Sequence, residues 1–418
     1  MHYALSSSLG SMSGLNTDKL ALDLQFATDK TLTARRGPTP TFTRASTATF
    51  VGSNGLIQSA AINAARFDHD PVTLACKGLL IEESRTNLTT QSGNASVWAS
   101  ANGTVTNNGS TTAPDGSSNG FLGGIGTASL ITPSTPSVTG LHTASVFLKR
   151  NNTDWARIQV AQGSFTHAVN FWVNLATGAA GTLSVATGTP TSLSAQVTPF
   201  GNSWYRISIT ASYPATASLT LTVISASADN NATRVAGSVY ELWGGQIEAG
   251  SFPTSYIPTT TASVVRSADV CSITGSSFTS FYNQSEGTLF VNGFTPASGD
   301  RTVLAVDDNT ANEMMRLRTE GTNPFFKVTD GGSEVVAIDA GTVSANTTFK
   351  LAGAYKVNDF ASSINGGNAV TDTSGTIPTV DRMRLGAGQG GNTMCGCIAR
   401  IRYYKKRVSD TKLKSITT

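Results

Sequence analysis

The chain has 418 residues, with 29 Lys or Arg against 26 Asp or Glu, a formal balance of +3 and a charged fraction of only 13%. So little charge argues against a nucleic-acid binder, which needs a basic stripe to neutralise phosphates, and few Glu, Lys and Arg beside abundant Thr, Ser, Val and Gly argue against helical bundles. Hydrophobic residues at 39% are enough for real cores, and the length predicts two or three domains.

Met1-His2-Tyr3-Ala4-Leu5 has neither a basic n-region nor a sustained apolar stretch, so it does not read as a signal peptide. Residues 1–17, rich in Ser and Gly, read as an arm that is flexible or ordered by a partner. Alternation places Leu20, Leu22, Leu24 and Phe26 on one face of a half-buried strand, which Pro38 and Pro40 then end. Residues 41–51 and 78–82 predict further short strands. Residues 93–140 read as strands joined by long loops. From about residue 141 the period-2 pattern is clean: Ala144, Val146 and Leu148 share a face, as do Tyr205, Ile207 and Ile209, and Leu219, Leu221 and Val223. Short strands between Gly, Asn and Pro clusters predict a sandwich or jelly roll.

A Pro/Thr-rich link at 251–261 leads to a second strand series, in which Cys397, Ala399, Ile401 and Tyr403 are expected on one face and Arg400 and Arg402 on the other. The one good helix candidate is the last stretch, where Ser409 can cap a first turn containing Asp410. There is no heptad pattern for a coiled-coil stalk, and no run of about 18 apolar residues for a membrane span. The expected architecture is all-β: an N-terminal β-rich attachment region over 1–92, a jelly roll over 93–265 and a second sandwich over 266–418. The four cysteines Cys76, Cys271, Cys395 and Cys397 are expected as reduced thiols, because residues two apart on a strand sit roughly 6.5–7 Å apart, too far for an ordinary disulfide. Reduced thiols imply synthesis in a reducing cytoplasm.

Three segments carry a resemblance. Arg66-Phe67-Asp68-His69-Asp70-Pro71-Val72-Thr73 and Gly78-Leu79-Leu80-Ile81-Glu82-Glu83-Ser84-Arg85-Thr86-Asn87-Leu88, with Phe42-Thr43-Arg44-Ala45-Ser46 and Gly55-Leu56-Ile57 before them, resemble an N-terminal module of tailed-bacteriophage virion proteins, among them head-spike, head-fibre and tail-fibre proteins. Residues 93–262, with Trp204-Tyr205-Arg206-Ile207 and Gly245-Gln246-Ile247-Glu248-Ala249-Gly250, are similar to the jelly roll that follows that module, which itself resembles carbohydrate-binding modules. Met383-Arg384-Leu385-Gly386 and Gly396-Cys397-Ile398-Ala399-Arg400-Ile401 look like the closing strands of a concanavalin-like or laminin-G-like sandwich, a likeness of fold rather than activity. The resemblance implies a non-enzymatic component of the virion surface, made in the host cytoplasm. It also implies a homotrimer held by capsid or tail proteins and adhering to host glycans, with no cofactor. Arg66, Phe67, Asp68, Arg85 and Asn87 are the candidates for attachment to the particle. The alternatives are a purely architectural decoration or joining protein and a polysaccharide depolymerase.

The residues themselves offer little catalytic chemistry. His69 sits between Asp68 and Asp70, but neighbours on an extended chain point to alternate faces, so a turn before Pro71 is the expected role. Glycoside hydrolysis needs two carboxyl groups flanking one bond, and no strand carries a Glu-x-Asp-x-x-Glu motif. Binding is the stronger expectation. All five tryptophans fall in the middle domain, where each can fill the core or offer a stacking face to a sugar; Trp155 and Trp172, with Asn170, are the glycan-binding candidates. Asp307, Asp308 and Asn309, and the similar run Asp229-Asn230-Asn231, are weak oxygen-donor candidates for calcium or else solvated turns. Lys405, Lys406 and Arg407 with Lys412 and Lys414 form a basic terminal patch, expected as a solvated face or a contact for an acidic surface.

Overall fold

The computed structural model describes residues 19–107, 112–118, 120–295, 299–389 and 391–418, and is almost entirely β. The arm expected over residues 1–17 lies outside the described residues.

Residues 99–249 form the jelly roll, whose strands follow the order Ala180–Thr187, His167–Asn174, Trp155–Gln162, Leu219–Ala226, Phe121–Ile131, Tyr240–Ala249, Val138–Arg150, Trp204–Ala217 and Thr191–Phe200. Strand Phe121–Ile131 turns the corner between the two layers: its far end pairs with Leu219–Ala226 and its near end with Tyr240–Ala249. The alternation read in the sequence puts Val146, Leu148, Ile207, Ile209, Leu221 and Val223 between the layers, fully buried.

The second sandwich does not begin at residue 266. One of its sheets contains Thr347–Lys356, Glu286–Thr295 and Gly396–Tyr404, and is continued by Cys76–Ile81 and Phe67–His69. Leu20–Leu24 pairs with the other half of Gly396–Tyr404, with Leu24 opposite Ile401. In the facing sheet Thr41–Thr43 pairs with Val270–Thr274. The strands at 20–24, 41–43, 67–69 and 76–81 therefore do not form a domain of their own but complete the second sandwich. Leu22, Leu24, Leu79 and Ile81 are wholly buried in the same core as Leu289, Val291, Leu317 and Phe326, each contributing about 1.5–3 kcal/mol of apolar burial. The jelly roll is an insertion in a discontinuous sandwich, and its exit and return strands, Arg85–Asn87 and Val264–Arg266, lie side by side.

The close packing explains the glycine of the Gly78-Leu79-Leu80-Ile81 segment. Gly78 has φ +109°, and a Cβ there would stand 2.1 Å from the Ile398 carbonyl oxygen, so any other residue would force the strands apart. Along Gly396–Tyr404 the register shifts opposite Asn292 and Gly293. The shift changes the phase of the strand: Ile398, Ile401 and Tyr403 reach the core, while Cys397 and Ala399 leave the face they were expected to share with Ile401. The terminal helix is Asp410–Thr417, capped by the Ser409 side chain accepting from the Lys412 amide at 3.3 Å. It packs through Leu413 on the outer face of the sheet against Phe290, Ala352, Ala354 and Ala361. The helix Gly275–Phe281, which the sequence pattern did not indicate, buries Phe278 and Phe281.

Where the two sandwiches meet, five buried charges converge. Arg66 donates to Glu82 at 2.8 Å and to Asp269 at 2.5 Å; Arg266 donates to Glu82 at 2.7 Å; Arg44 donates to Asp269 at 3.1 Å. Beside them the hairpin Ala48–Val51 and Ile57–Ala60 lies on the jelly roll, where Ile57 packs with Phe147, Phe200, Trp204, Trp243 and Tyr256.

Candidate functional site

Strand Trp155–Gln162 runs antiparallel to His167–Asn174, with Trp155 opposite Asn174, Arg157 opposite Trp172 and Gln159 opposite Asn170. Ile158, Val160, Phe171 and Val173 fill the core, so alternation turns Trp155, Trp172 and Asn170 outward together, on the layer remote from the charged junction. The fold thus gathers the three glycan candidates on one face, but it does not leave them equally open. Residues 227–239 cross that face. Trp172 is 3% exposed, its Nε1 donates to the Asn231 carbonyl at 3.0 Å, and the Arg157 guanidinium lies 6.0 Å over its ring. Asn170 is buried and accepts from Gln159 at 2.9 Å. Neither can touch a ligand from solvent. Trp98, Trp204 and Trp243 are buried as well.

Trp155 is the one half-exposed tryptophan. It walls a cleft of about 580 Å³ shared with Asn152, Asp154, Ser227, Val235 and Ser238, a size within the usual range of small-molecule sites, about 300–1,000 Å³. Each wall is held by specific contacts. Asn152 donates to the Gly237 carbonyl at 3.0 Å and accepts from the Val239 amide at 2.5 Å, fixing the turn to the crossing loop. The Asp154 carboxylate accepts from Arg150 Nε at 2.6 Å. Asp229 accepts from the Thr182 amide and hydroxyl at 2.7 and 3.0 Å, clamping the loop to the neighbouring strand. A Cβ at Gly181 would stand 3.0 Å from the Trp155 ring and 2.3 Å from Asp229, so this glycine lets strand, ring and loop close together. The arrangement offers an aromatic surface rimmed by an amide, a carboxylate and hydroxyls. Asn152, Asp229, Ser227, Ser238 and Gly181 come together only through strand pairing. In the sequence only the polar run Asn151-Asn152-Thr153-Asp154 pointed to Asn152, and Asp229 stood out only as a weak oxygen-donor candidate for calcium.

The other candidates take structural roles. Arg66 and Asn87 are fully buried, Asp68 and Arg85 nearly so, and Phe67 is half-buried against the second core. Asn87 donates to the Ile257 carbonyl at 2.8 Å and accepts from the Ile247 amide at 3.1 Å, tying the exit strand to the jelly roll. Arg85 pairs with Glu83 at 2.6 Å, its guanidinium 5.1 Å over the Phe252 ring. Asp68 accepts from the Val51 amide at 2.8 Å and pairs with Lys77 at 2.6 Å. Arg66, Asp68, Arg85 and Asn87 each have a partner within this chain. Their residues are joints between strands that are distant in sequence.

Asp70 accepts from the amides of Val72 and Thr73 at 3.0 and 2.7 Å, so the turn expected just before Pro71 runs instead through Pro71 and the residues after it. At the calcium candidates a guanidinium occupies the place of a cation. Asp307, wholly buried, pairs with Arg384 at 2.8 Å, and Asn309 Oδ1 accepts from the same guanidinium at 2.6 Å. Asp308 accepts from the Thr310 amide at 2.7 Å. In the basic patch Lys406 pairs with Glu286 at 2.6 Å, and Arg407 pairs with Asp410 at 2.6 Å and Asp359 at 2.9 Å, while Lys405 donates to the Ser280 carbonyl and Lys414 to the Asn368 side chain. Cys271, Cys395 and Cys397 are buried free thiols and Cys76 is half-buried. Burial pushes the Cys395 thiol up to about 12.

No protein-family model matches this chain, and no curated protein matches it in sequence. Among solved structures, part of the chain is similar to the CBM40 module of the Ruminococcus gnavus IT-sialidase bound to α2,3-sialyllactose, at 19% identity over 32% of this chain and 84% of that one, with a TM-score of 0.29. It is similar to domain 4 of AbnA, a GH43 extracellular arabinanase from Geobacillus stearothermophilus in complex with arabinotriose, at 10% identity over 41% of this chain and 84% of that one, TM-score 0.31. It is also similar to the heptameric SAP-like pentraxin of Limulus polyphemus, at 9% identity over 32% of this chain and 70% of that one, TM-score 0.26.

Proposed function

We propose that the chain is a non-enzymatic adhesive component of a tailed-phage particle that binds host surface glycans through the Trp155 cleft of its jelly roll. The observation that carries the reading is the position of Trp155. Four tryptophans are buried, and the fifth faces a cleft whose other groups are an amide, hydroxyls and one carboxylate. A sugar ring presents C–H groups to an aromatic face and hydroxyls to polar neighbours, the two kinds of contact that this cleft supplies. Binding without hydrolysis fits the carboxylates: Asp154 is the single acid lining the cleft and is held by Arg150, whereas glycoside hydrolysis takes a pair flanking one bond. The particle setting rests on the resemblance of the segments 66–73 and 78–88. Weak single-site binding becomes firm when copies repeat on one particle.

The test is a glycan array with the full chain, wild type and Trp155→Ala, followed by whole-cell binding. Glycan binding by the wild type that falls at least tenfold in the variant supports the reading. Equal binding by both proteins, or none by either, overturns it.

A second reading, an architectural decoration or joining protein, is favoured by one observation. No Asp, Glu, Lys or Arg occurs between Arg157 and Arg206, and this stretch supplies two of the edge strands of the jelly roll, Ala180–Thr187 and Thr191–Phe200. Edge strands are usually guarded by charge against pairing with another chain. Imaging of the particle separates the two: protruding knobs favour the adhesin, and outer domains locked in lattice contacts favour decoration.

A further inference from the structure

The outer face of the second sandwich is divided in two. Along strand Glu286–Thr295, Leu289 and Val291 point into the core, so Phe290, Asn292 and Phe294 share the outer side. The terminal helix covers Phe290. Asn292 and Phe294 lie beyond it, half-exposed, in a trough of about 660 Å³ walled by Thr417 and Thr418 at the end of the helix and by the Asp70–Lys77 turn opposite.

The charged groups of the trough are already engaged. Lys77 pairs with Asp68 at 2.6 Å, Asp70 serves the two amides of its turn, and Lys350 Nζ donates to the Thr418 carbonyl oxygen. The Lys77 ammonium also lies 5.7 Å over the centre of the Phe294 ring, a second contact that holds it, and the remaining groups that can meet a ligand are uncharged. The Phe294 ring lies next to Thr348 on the adjoining strand, and Asn292 next to Lys350. The Asn292 amide has no protein hydrogen-bond partner among the described residues. Asn365, which also lines the trough, accepts at its Oδ1 from the Lys350 amide at 2.8 Å. The floor strands are central in the sheet and paired on both sides, so their backbone groups are not offered to an added peptide strand. Recognition has to run through side chains: one aromatic face, amides and hydroxyls.

We infer that this trough is a second saccharide site, specific for a neutral oligosaccharide and independent of the Trp155 cleft. It gives the second sandwich the ligand class proposed for the first, but it stands on its own residues, and it can be read locally because Cys76 lines the trough and is the one cysteine that is not fully buried.

The experiment follows alkylation of Cys76 in the full chain by iodoacetamide, with peptide mass spectrometry as readout. The probes are the hexamers of maltose, cellulose and laminarin type, with an oligosialic acid hexamer as the acidic control. A neutral hexamer is expected to slow Cys76 alkylation severalfold in the wild type and equally in Trp155→Ala. Phe294→Ala and Asn292→Ala, each compared with and without sugar so that a change in intrinsic reactivity cancels, are expected to lose the protection. Protection by the acidic hexamer alone, no protection by any neutral hexamer at millimolar concentration, or protection that survives both trough variants overturns the proposal. Protection lost in Trp155→Ala also overturns it, since the sugar would then be acting from the jelly roll. Because the readout sits in the trough, failure of the Trp155 reading on the array leaves this result unaffected.

Discussion

The junction makes the sharpest prediction. The Glu82 carboxylate accepts from Arg66 at 2.8 Å, Arg266 at 2.7 Å, and the Ser255 amide and hydroxyl at 2.7 Å each. Burial alone would raise its pKa, but Arg266, Arg66 and the Ser255 donors hold it at about 2, against 4.5 for an ordinary glutamate. That difference is about 2.5 pH units, worth about 3 kcal/mol at about 1.4 kcal/mol per unit, and it agrees with the about 3–5 kcal/mol lost when one partner of a buried pair is removed. Glu82→Gln keeps the shape, removes the charge and turns an amide N–H toward groups that are themselves donors. At about 2–4 °C per kcal/mol for a domain of this size, the variant should melt about 6–12 °C below the wild type.

The sign of the pH dependence follows from the depressed pKa. The ionised carboxylate stabilises the fold fully above the unfolded value of about 4.5, and that contribution is lost as the pH falls toward about 2. The gap in melting temperature between wild type and Glu82→Gln should therefore be constant above about pH 4.5 and close below it, because a protonated glutamate and a glutamine are then nearly equivalent. Calorimetry across that range reads both features. A gap smaller than about 1 °C near neutral pH, or one that stays open at the acid end, would refute the reasoning.

Other outcomes follow from the same structure. Trp155→Ala should weaken binding of the glycans taken by the jelly-roll cleft at least tenfold, with little change in melting temperature, since its ring is half-exposed, whereas Trp172→Ala should cost about 3–5 kcal/mol by chemical denaturation because it empties a buried site. Gly78→Ala, which sets a methyl 2.1 Å from the Ile398 carbonyl oxygen, should yield insoluble protein or a lowered unfolding midpoint. Calcium and EDTA should leave the melting temperature unchanged, because Arg384 already neutralises Asp307; a calcium-dependent rise would overturn that assignment. Residues 266–418 expressed alone should show no cooperative thermal transition, lacking the strands at 20–24, 41–43, 67–69 and 76–81, and co-expression with residues 19–92 should restore one.

The all-β class was legible in the sequence because alternation reports which side chains are buried. Val146, Ile207 and Leu221 went where their spacing put them, and the Asp70 turn and the Ser409 cap were readable because each is made by neighbouring residues. Alternation does not say which sheet a strand joins. Leu20–Leu24 reads the same whether it starts a domain of its own or closes a sheet with Gly396–Tyr404, far along the chain, and only the second occurs. A single irregularity in that strand was enough to reverse the expected face of Cys397 and Ala399. The site shows the same division. Trp155, Trp172 and Asn170 do share a face, but the loop that closes over Trp172 comes from residues 227–239, and nothing near Trp172 in sequence announces it. Arg66, Arg85 and Asn87 were attachment candidates only through the resemblance of the segments 66–73 and 78–88. Each is instead enclosed, Arg66 against Glu82, Asn87 against the Ile257 carbonyl and Arg85 between its near neighbour Glu83 and the sequence-distant Phe252 ring.

The insertion has a consequence for binding at a surface. A jelly roll joined by a single Pro/Thr linker would swing freely, and sites on the two sandwiches would act at an effective concentration set by that linker. Here the exit and return strands pair with each other, the charges of Arg44, Arg66, Glu82, Arg266 and Asp269 are buried at their base, and the hairpin at Ile57 packs against Trp204 and Trp243. The Trp155 cleft and the Phe294 trough are therefore held at a fixed separation and angle. Two sites fixed in this way reinforce each other on a polymer whose repeats match that spacing and gain nothing on one that does not, so the junction would select among glycans without touching them. Glu82→Gln tests this step too. If it loosens the junction while each sandwich stays folded, affinity for short oligosaccharides should persist while avidity for the matching long polymer falls.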